Sequence, residues 1–353
     1  RMRPPAVMSG VQLTAHGGPE VLRWAEDIPV PTPGPGQALV RVLAAGVNNT
    51  DINTRLGWYA ADVTGATGEQ TGTDGGWSGA LRFPLIQGGD LCGRIVAMGD
   101  GDSDLAVGMR VTCPINQPEP TAENPLHFVA LGSEFDGAFA QYCVVPLRHL
   151  SEVTRSPLSD VEIAAMPCAY GTALNLLTRA GVGAGDRVLV TGASGGVGMA
   201  AVALAHLKGA AVTGTTDPKK AEHVRQAGAV ATLDRNAALP DGTFDAVIDI
   251  VGGDRFGALI AALRPGGRLA VSGAIAGPMV QIDLRALYLA DKSILGCTHQ
   301  PPEVFSELVR IINAGTLRPL VSATYPLRDI VRAQHDFQTK VRPGKLVLIP
   351  PED

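Results

Sequence analysis

Hydrophobic positions in the first 150 residues fall in short runs broken by glycine and proline, the clearest at 38–43, 93–98 and 139–145. Their length and branched residues predict β-strands. Residues 64–79 differ, because Gly, Thr, Ser and Asp dominate them, and a loop is expected there. From about residue 156 the pattern changes. Almost wholly apolar runs at 187–190, 210–213, 246–250 and 268–271 now alternate with segments of helical length. That alternation predicts a parallel sheet covered on both faces, with helices near 197–208, 218–227, 254–263 and 283–290. The earlier character returns from about 296 and closes in the strand Lys345–Ile349. The expected fold is therefore α/β: a β-rich domain over 1–155 and 296–353, interrupted by a doubly wound domain over 156–295.

Composition supports two packed cores. With 353 residues, 45% apolar and 18% charged, the chain has ample core material and is not a disordered sequence. A net charge of −5 without any Lys/Arg run argues against nucleic acid as a partner. No uncharged apolar stretch is long enough to span a membrane, and no secretory signal is expected. The five cysteines are scattered and form no CxxC pair, which fits reduced thiols in a cytoplasmic protein.

The stretch most informative about chemistry is Val188-Leu189-Val190-Thr191-Gly192-Ala193-Ser194-Gly195-Gly196-Val197-Gly198. A buried strand runs through small residues into a helix, with the spacing A-x-G-x-x-G. Ser194, Gly195, Gly196, Val197 and Gly198 would let a pyrophosphate approach the helix N-terminus, where unpaired N–H groups favour negative charge. The competing reading is a plain turn. An NAD-binding chain usually carries an acid at the end of the next strand. Here Thr215 and Thr216 stand there, followed by Asp217-Pro218-Lys219-Lys220. Small hydroxyls and a cationic pair favour a 2′-phosphate, hence NADPH. Asp217 would serve NAD if the loop were shifted, and the lysines also read as a solvated first helical turn.

These motifs sit in a longer series: Ala45-Gly46-Val47-Asn48-Asn49-Thr50-Asp51, Gly88-Gly89-Asp90-Leu91-Cys92-Gly93, Met166-Pro167-Cys168-Ala169-Tyr170-Gly171-Thr172, Leu263-Arg264-Pro265-Gly266-Gly267 and Gly344-Lys345-Leu346-Val347. Taken together, the series resembles the medium-chain dehydrogenase/reductase superfamily. The resemblance implies a GroES-like β domain on the substrate side with a Rossmann domain inserted into it. Asn48 stands where zinc alcohol dehydrogenases carry a Cys ligand, and Gly89-Asp90 where they carry His-Glu. Only Cys168 matches a ligand, and the four-cysteine structural lobe is reduced to Cys113. Three protein ligands are needed for a catalytic zinc, so none is expected. What remains is similar to the zinc-free quinone oxidoreductase branch. That likeness implies Lys220 and Arg235 at the 2′-phosphate, Gly273 in the cofactor set, and a homodimer paired through residues 270–298, although core burial explains that apolar segment equally well. The stretch from Asn48 to Tyr59 is similar to enoyl-thioester reductases, whose tyrosine proton donor matches Tyr59.

Without a metal, hydride addition to a double bond conjugated to a carbonyl needs oriented donors and a proton source. Tyr59 is the candidate acid, and Asn48 and Thr172 are the candidate donors to the carbonyl or the nicotinamide. Each has a plainer alternative: Tyr59 an aromatic cap beside Trp58, Asn48 a turn cap, Thr172 a helix-start residue. Asp51 reads as structural, and the spacing of His127, His299 and His335 suggests neither metal nor triad. The expected function is NADPH-dependent reduction of a quinone or α,β-unsaturated carbonyl, a small-molecule substrate. The alternatives are a zinc alcohol dehydrogenase with atypical ligands, or a nucleotide-binding protein without catalysis.

Overall fold

Strand β1 (Val7–Leu13) pairs antiparallel with β2 (Leu22–Pro29) and leads into β3 (Gln37–Gly46), the spine of a seven-stranded sheet. The computed structural model describes residues 3–60, 62–63, 81–340 and 342–353, so the loop expected at 64–79 lies outside the described residues. Of these, residues up to Val63, 81–168 and Pro301–Asp353 form one compact unit, and Ala169–Gln300 form another.

In the first unit, helix α1 (Asn49–Leu56) follows β3 directly. Sequence periodicity gives no sign of it, because its buried residues include Asp51, Asn53, Thr54 and Arg55. The chain continues through β4 (Asp90–Met98), β5 (Arg110–Thr112), the hairpin β6 (Asn116–Pro118) and β7 (Phe128–Ala130), β8 (Tyr142–Pro146) and β9 (Ser151–Glu152). The predicted strand at 139–145 begins only at Tyr142. Both β4 and β8 pair antiparallel with β3, and the register sets Gly46 opposite Asp90. After β9 the chain stays with this unit, because buried Arg110 donates to the carbonyls of Val153, Ser156 and Leu158 and to the Asp160 carboxylate of α2 (Asp160–Ala164). It passes to the other unit at Cys168/Ala169, inside α3 (Pro167–Arg179), and returns at Gln300/Pro301.

The second unit is a six-stranded parallel sheet. Its elements alternate: β10 (Arg187–Val190), α4 (Gly196–Leu207), β11 (Ala211–Thr216), α5 (Ala221–Ala227), β12 (Ala231–Asp234), β13 (Phe244–Asp249), α6 (Phe256–Ala262), β14 (Leu263–Val271), α7 (Leu284–Tyr288) and β15 (Ser293–Gly296). The order β12-β11-β10-β13-β14-β15 reverses direction between β10 and β13. In doubly wound sheets ligands bind outside the C-terminal strand ends at such a switch point. Apolar faces of β10, β13 and β14 pack under α6 through Leu189, Val247, Leu269 and Leu259.

The returning chain forms α8 (Pro302–Ala314), β16 (Val321–Pro326), α9 (Ile330–Thr339) and β17 (Lys345–Ile349). Strand β17 lies between β16 and β3, which sets Val347 opposite Gly46. The fold class expected from the sequence, a β-rich domain with an inserted doubly wound parallel sheet, is the one observed. Among the described residues no helix is long and apolar enough to cross a membrane.

Candidate functional site

The end of β3, the start of β4 and the start of β17 converge in the first unit. A Cβ on Gly46 would fall 2.5 Å from an Asp90 carboxylate oxygen, so the carboxylate occupies the space a side chain would need. Asp90 Oδ1 accepts the Cys168 backbone N–H at 2.6 Å, and Oδ2 accepts the Asn48 side-chain N–H at 2.8 Å. The Lys345 ammonium donates to the same Oδ2 at 3.2 Å, to the Val47 carbonyl at 2.9 Å and to Asn48 Oδ1. Asn48 thus has its amide oxygen and an amide N–H committed inside a buried charge network. Asp51 closes the start of α1, its carboxylate accepting the Asn48 backbone N–H at 2.8 Å, the structural part expected of it. Burial pushes the Asp51 carboxyl up to about 7, with nearby Asp90 adding to the rise and the Asn48 N–H and Lys345 opposing it.

Tyr59 follows the other end of α1, past Gly57, whose left-handed backbone (φ +72) ends the helix. Its ring packs edge-on against Trp58, and its hydroxyl lies 2.9 Å from Thr50 Oγ1. Asn48 thus precedes α1 and Tyr59 follows it, while the Tyr59 hydroxyl reaches back to Thr50 in the first turn of the helix. Thr172 belongs to the second unit, well inside α3, which begins at Pro167. That place removes the helix-start reading of Thr172.

In the second unit Gly192 turns the chain after β10 with φ +55, and α4 packs so close that a Cβ on Gly198 would fall 2.0 Å from the Gly192 carbonyl oxygen. Gly195 caps α4 without a side-chain acceptor for its first N–H groups. Ser194, Gly195, Gly196, Val197 and Gly198 thus form an uncapped helix entry at the switch point, and this arrangement fits a pyrophosphate. The Ala193 N–H donates to the Thr215 carbonyl at 3.0 Å, which brings the turn against the buried Thr215–Thr216 end of β11. Asp217 caps its own turn, its carboxylate accepting the Lys219 N–H at 3.0 Å at the start of Pro218–Lys220. Lys220 ends that turn, half-buried, while Arg235 is exposed one residue beyond β12. Gly273, at φ +135, sits where a Cβ would lie 3.1 Å from the Ile250 carbonyl.

Two features went unread in the sequence. Asp249, at the end of β13, accepts the Thr191 hydroxyl at 2.8 Å and the Val251 N–H at 2.9 Å, and also takes the Gly252 N–H. It thereby fixes the loop after β13 to the turn after β10. An acid ending a run of apolar residues was its signal. The Asp90–Lys345 pair joins residues 255 positions apart, and nothing local announces it. A cavity of about 720 Å³ in the first unit lies elsewhere, lined by Met8, Ile28, Phe135, Val144 and Arg148 among others, and none of the candidate site residues selected from the sequence lines it.

Residues 34–155 match the alcohol dehydrogenase GroES-like domain family, and residues 196–314 the zinc-binding dehydrogenase family. Zinc would need three protein donors. Among the described residues no group of three or more His, Cys, Asp or Glu side chains is placed to hold a metal ion. Around Asp90 both carboxylate oxygens are already taken and an ammonium stands among the donors, so these residues do not fit a catalytic zinc. The chain is 27% identical to an acryloyl-coenzyme A reductase of Sulfurisphaera tokodaii, covering 94% of this chain and 98% of that protein. It is likewise 27% identical to the quinone oxidoreductase of Rattus norvegicus, covering 97% and 98%. A solved structure from Sinorhizobium meliloti 1021, provisionally named an alcohol dehydrogenase, shares 38% identity with a TM-score of 0.88 over 99% of this chain and 98% of that one. These matches, the glycine turn at the switch point and the two-unit architecture make the chain a member of the medium-chain dehydrogenase/reductase superfamily.

Proposed function

We propose that this oxidoreductase uses NADPH to reduce a quinone or an α,β-unsaturated carbonyl compound without a metal. The observation that carries the metal-free part is the Lys345 ammonium hydrogen-bonded to Asn48 and Asp90, where a cation would need free donors. Two relatives named for reduction of an acryloyl thioester and of quinones support the acceptor class. The cofactor reading rests on a strand end that carries Thr215 and Thr216 in place of an acid, on an Asp217 carboxylate already bound to its own turn, and on Lys220 and Arg235 nearby in sequence. The Ser194–Gly198 turn would hold the pyrophosphate of NADPH, whose nicotinamide would supply a hydride.

Hydride adding to the β-carbon forms the new carbon–hydrogen bond with its own electron pair, and the displaced double-bond pair shifts toward the carbonyl oxygen as an enolate. Tyr59 then gives its phenolic proton to the α-carbon, and the phenolate regains a proton from solvent. Asn48 acts as a support for Asp90 with one N–H left to offer, and Thr172 as a donor from α3. The same face that carries α7 exposes Leu284, Tyr288 and Leu289 close in sequence to the edge strand β15, and we assign it to pairing with a second copy.

The test is purified protein assayed for bound metal and for NADPH oxidation across enones, enoyl thioesters and ortho-quinones. Turnover that survives chelation, with NADPH preferred over NADH, is expected. Stoichiometric zinc that resists dialysis, with activity lost to chelators, overturns the reading.

A further inference from the structure

Around the cavity of about 720 Å³ in the first unit, three pieces of sheet meet: the pair β1–β2, the hairpin β6–β7, and β8, which pairs with β3. The proposed chemistry uses none of this space. Met8 and Ile28 line it from the first pair, Val129 from the hairpin and Val144 from β8. Ile86 and Phe135 add to the apolar wall from connecting segments. Small-molecule sites span about 300–1,000 Å³ and combine apolar walls with a few fixed polar groups, so the hollow has the size and the lining of one.

The polar groups of the wall decide what fits. Among the described residues its carboxylates are Glu119 and Asp136. Glu119 is already neutralised, because its Oε1 accepts the Arg148 guanidinium and lies 2.8 Å from His149 Nε2. Arg148, the guanidinium of the wall, is engaged by the same contact. Asp136 differs. Its Oδ1 accepts the Ile86 N–H at 2.9 Å, and the Gly137 N–H returns to the Ile86 carbonyl at 2.7 Å, so two bonds hold this turn to one residue. Its Oδ2 has neither a hydrogen-bond donor nor an ion-pair partner among the described residues. Asp136 keeps accessible surface, yet the protein packed around its carboxyl raises it, and the Ile86 N–H alone opposes the rise. The carboxylate is fixed in place, open to a ligand and short of a counter-ion.

We infer that this cavity binds an apolar amine, whose ammonium pairs with Asp136 while its hydrocarbon body lies against Met8, Ile28, Val129 and Val144. The ammonium brings both the donor and the positive charge that Oδ2 lacks, and such a charge-assisted bond is about twice as strong as a neutral one. A neutral body of the same shape gains the apolar contacts alone. An anion is rejected, since Glu119 already holds Arg148 and Asp136 repels a second negative charge. The site is separate from the proposed hydride transfer and does not rest on it.

Three probes with one body and different ends test this on the whole chain: octylamine, octanol and octanoate, each titrated by calorimetry at neutral pH. Octylamine is expected to bind at least tenfold more tightly than octanol, and octanoate more weakly than both. Asp136→Asn keeps an oxygen for the Ile86 N–H and removes the charge. It is expected to bring octylamine down to the affinity of octanol while leaving octanol within twofold. Val144→Phe, which fills the hollow, is expected to weaken octylamine and octanol alike. Melting temperatures verify that each variant folds, and Val144→Met replaces Val144→Phe if the ring is not tolerated. A crystal structure with octylamine is expected to place its nitrogen within hydrogen-bond distance of Asp136 Oδ2. Equal affinities for the three probes, a preference for octanoate, no octylamine binding at millimolar concentration, an octylamine affinity that neither variant changes, or a nitrogen bound elsewhere overturns the inference.

Discussion

The Lys345 ammonium and the Asp90 carboxylate meet at 3.2 Å with side chains 3% and 0% exposed, so this ion pair has almost no solvent to screen it. Breaking such a pair from one side leaves an uncompensated buried charge, at a cost of about 3–5 kcal/mol. Lys345→Met is expected to lower the melting temperature sharply. Asp90→Asn in the same chain is expected to recover much of the loss. A double variant no more stable than Lys345→Met, followed by thermal or urea unfolding, would contradict this account.

Gly198→Ala places a methyl where only 2.0 Å separates it from the Gly192 oxygen. Helix α4 must then move off the turn that we propose offers its N–H groups to phosphate. Dinucleotide affinity measured by calorimetry is expected to fall at least tenfold. Gly195→Ala is a milder change, because its Cβ would meet nothing nearer than 3.5 Å.

Asp51 gives stability a pH dependence of known sign. Its carboxyl is raised from 3.8 to about 7 by burial, so the folded state binds the proton more tightly than the unfolded chain. That contribution is fully present below about pH 4 and is lost as pH rises toward 7. Asp51→Asn keeps a side-chain oxygen for the Asn48 N–H and removes the titration. The variant is expected to lose less stability than the parent between pH 4 and 7, as read by urea unfolding at a series of pH values.

Leu284 and Leu289 are 63% and 72% exposed, unusual for two leucines so close in sequence. Replacing both by Glu is expected to convert a dimer into a monomer in sedimentation velocity without altering the melting of the isolated chain by more than a few degrees. A parent protein that already sediments as a monomer would remove the assignment of this face.

How much of this could be read beforehand depends on how local each feature is. The second unit was legible because each parallel strand is a run of apolar residues and each crossover helix has its own turn signals. The glycine turn after β10 is likewise contained in a few adjacent residues. Helix α1 was not legible, since its polar residues Asp51, Asn53 and Thr54 face inward and erase the periodicity on which the reading depends. Asp249 and Lys345 gain their meaning only from partners delivered by distant strands. Asn48 was singled out because it stands where relatives carry a ligand, but its hydrogen-bond capacity is largely taken by residues the sequence could not set beside it.

The position of β17 between β16 and β3 has a consequence for biosynthesis. The inserted parallel sheet is one continuous stretch, so all of its strands leave the ribosome before the surrounding sheet can close. Asp90 is made long before its counter-ion, which emerges only with β17. The nascent chain must therefore keep that carboxylate hydrated until β17 has been made, and the sheet around it seals only then.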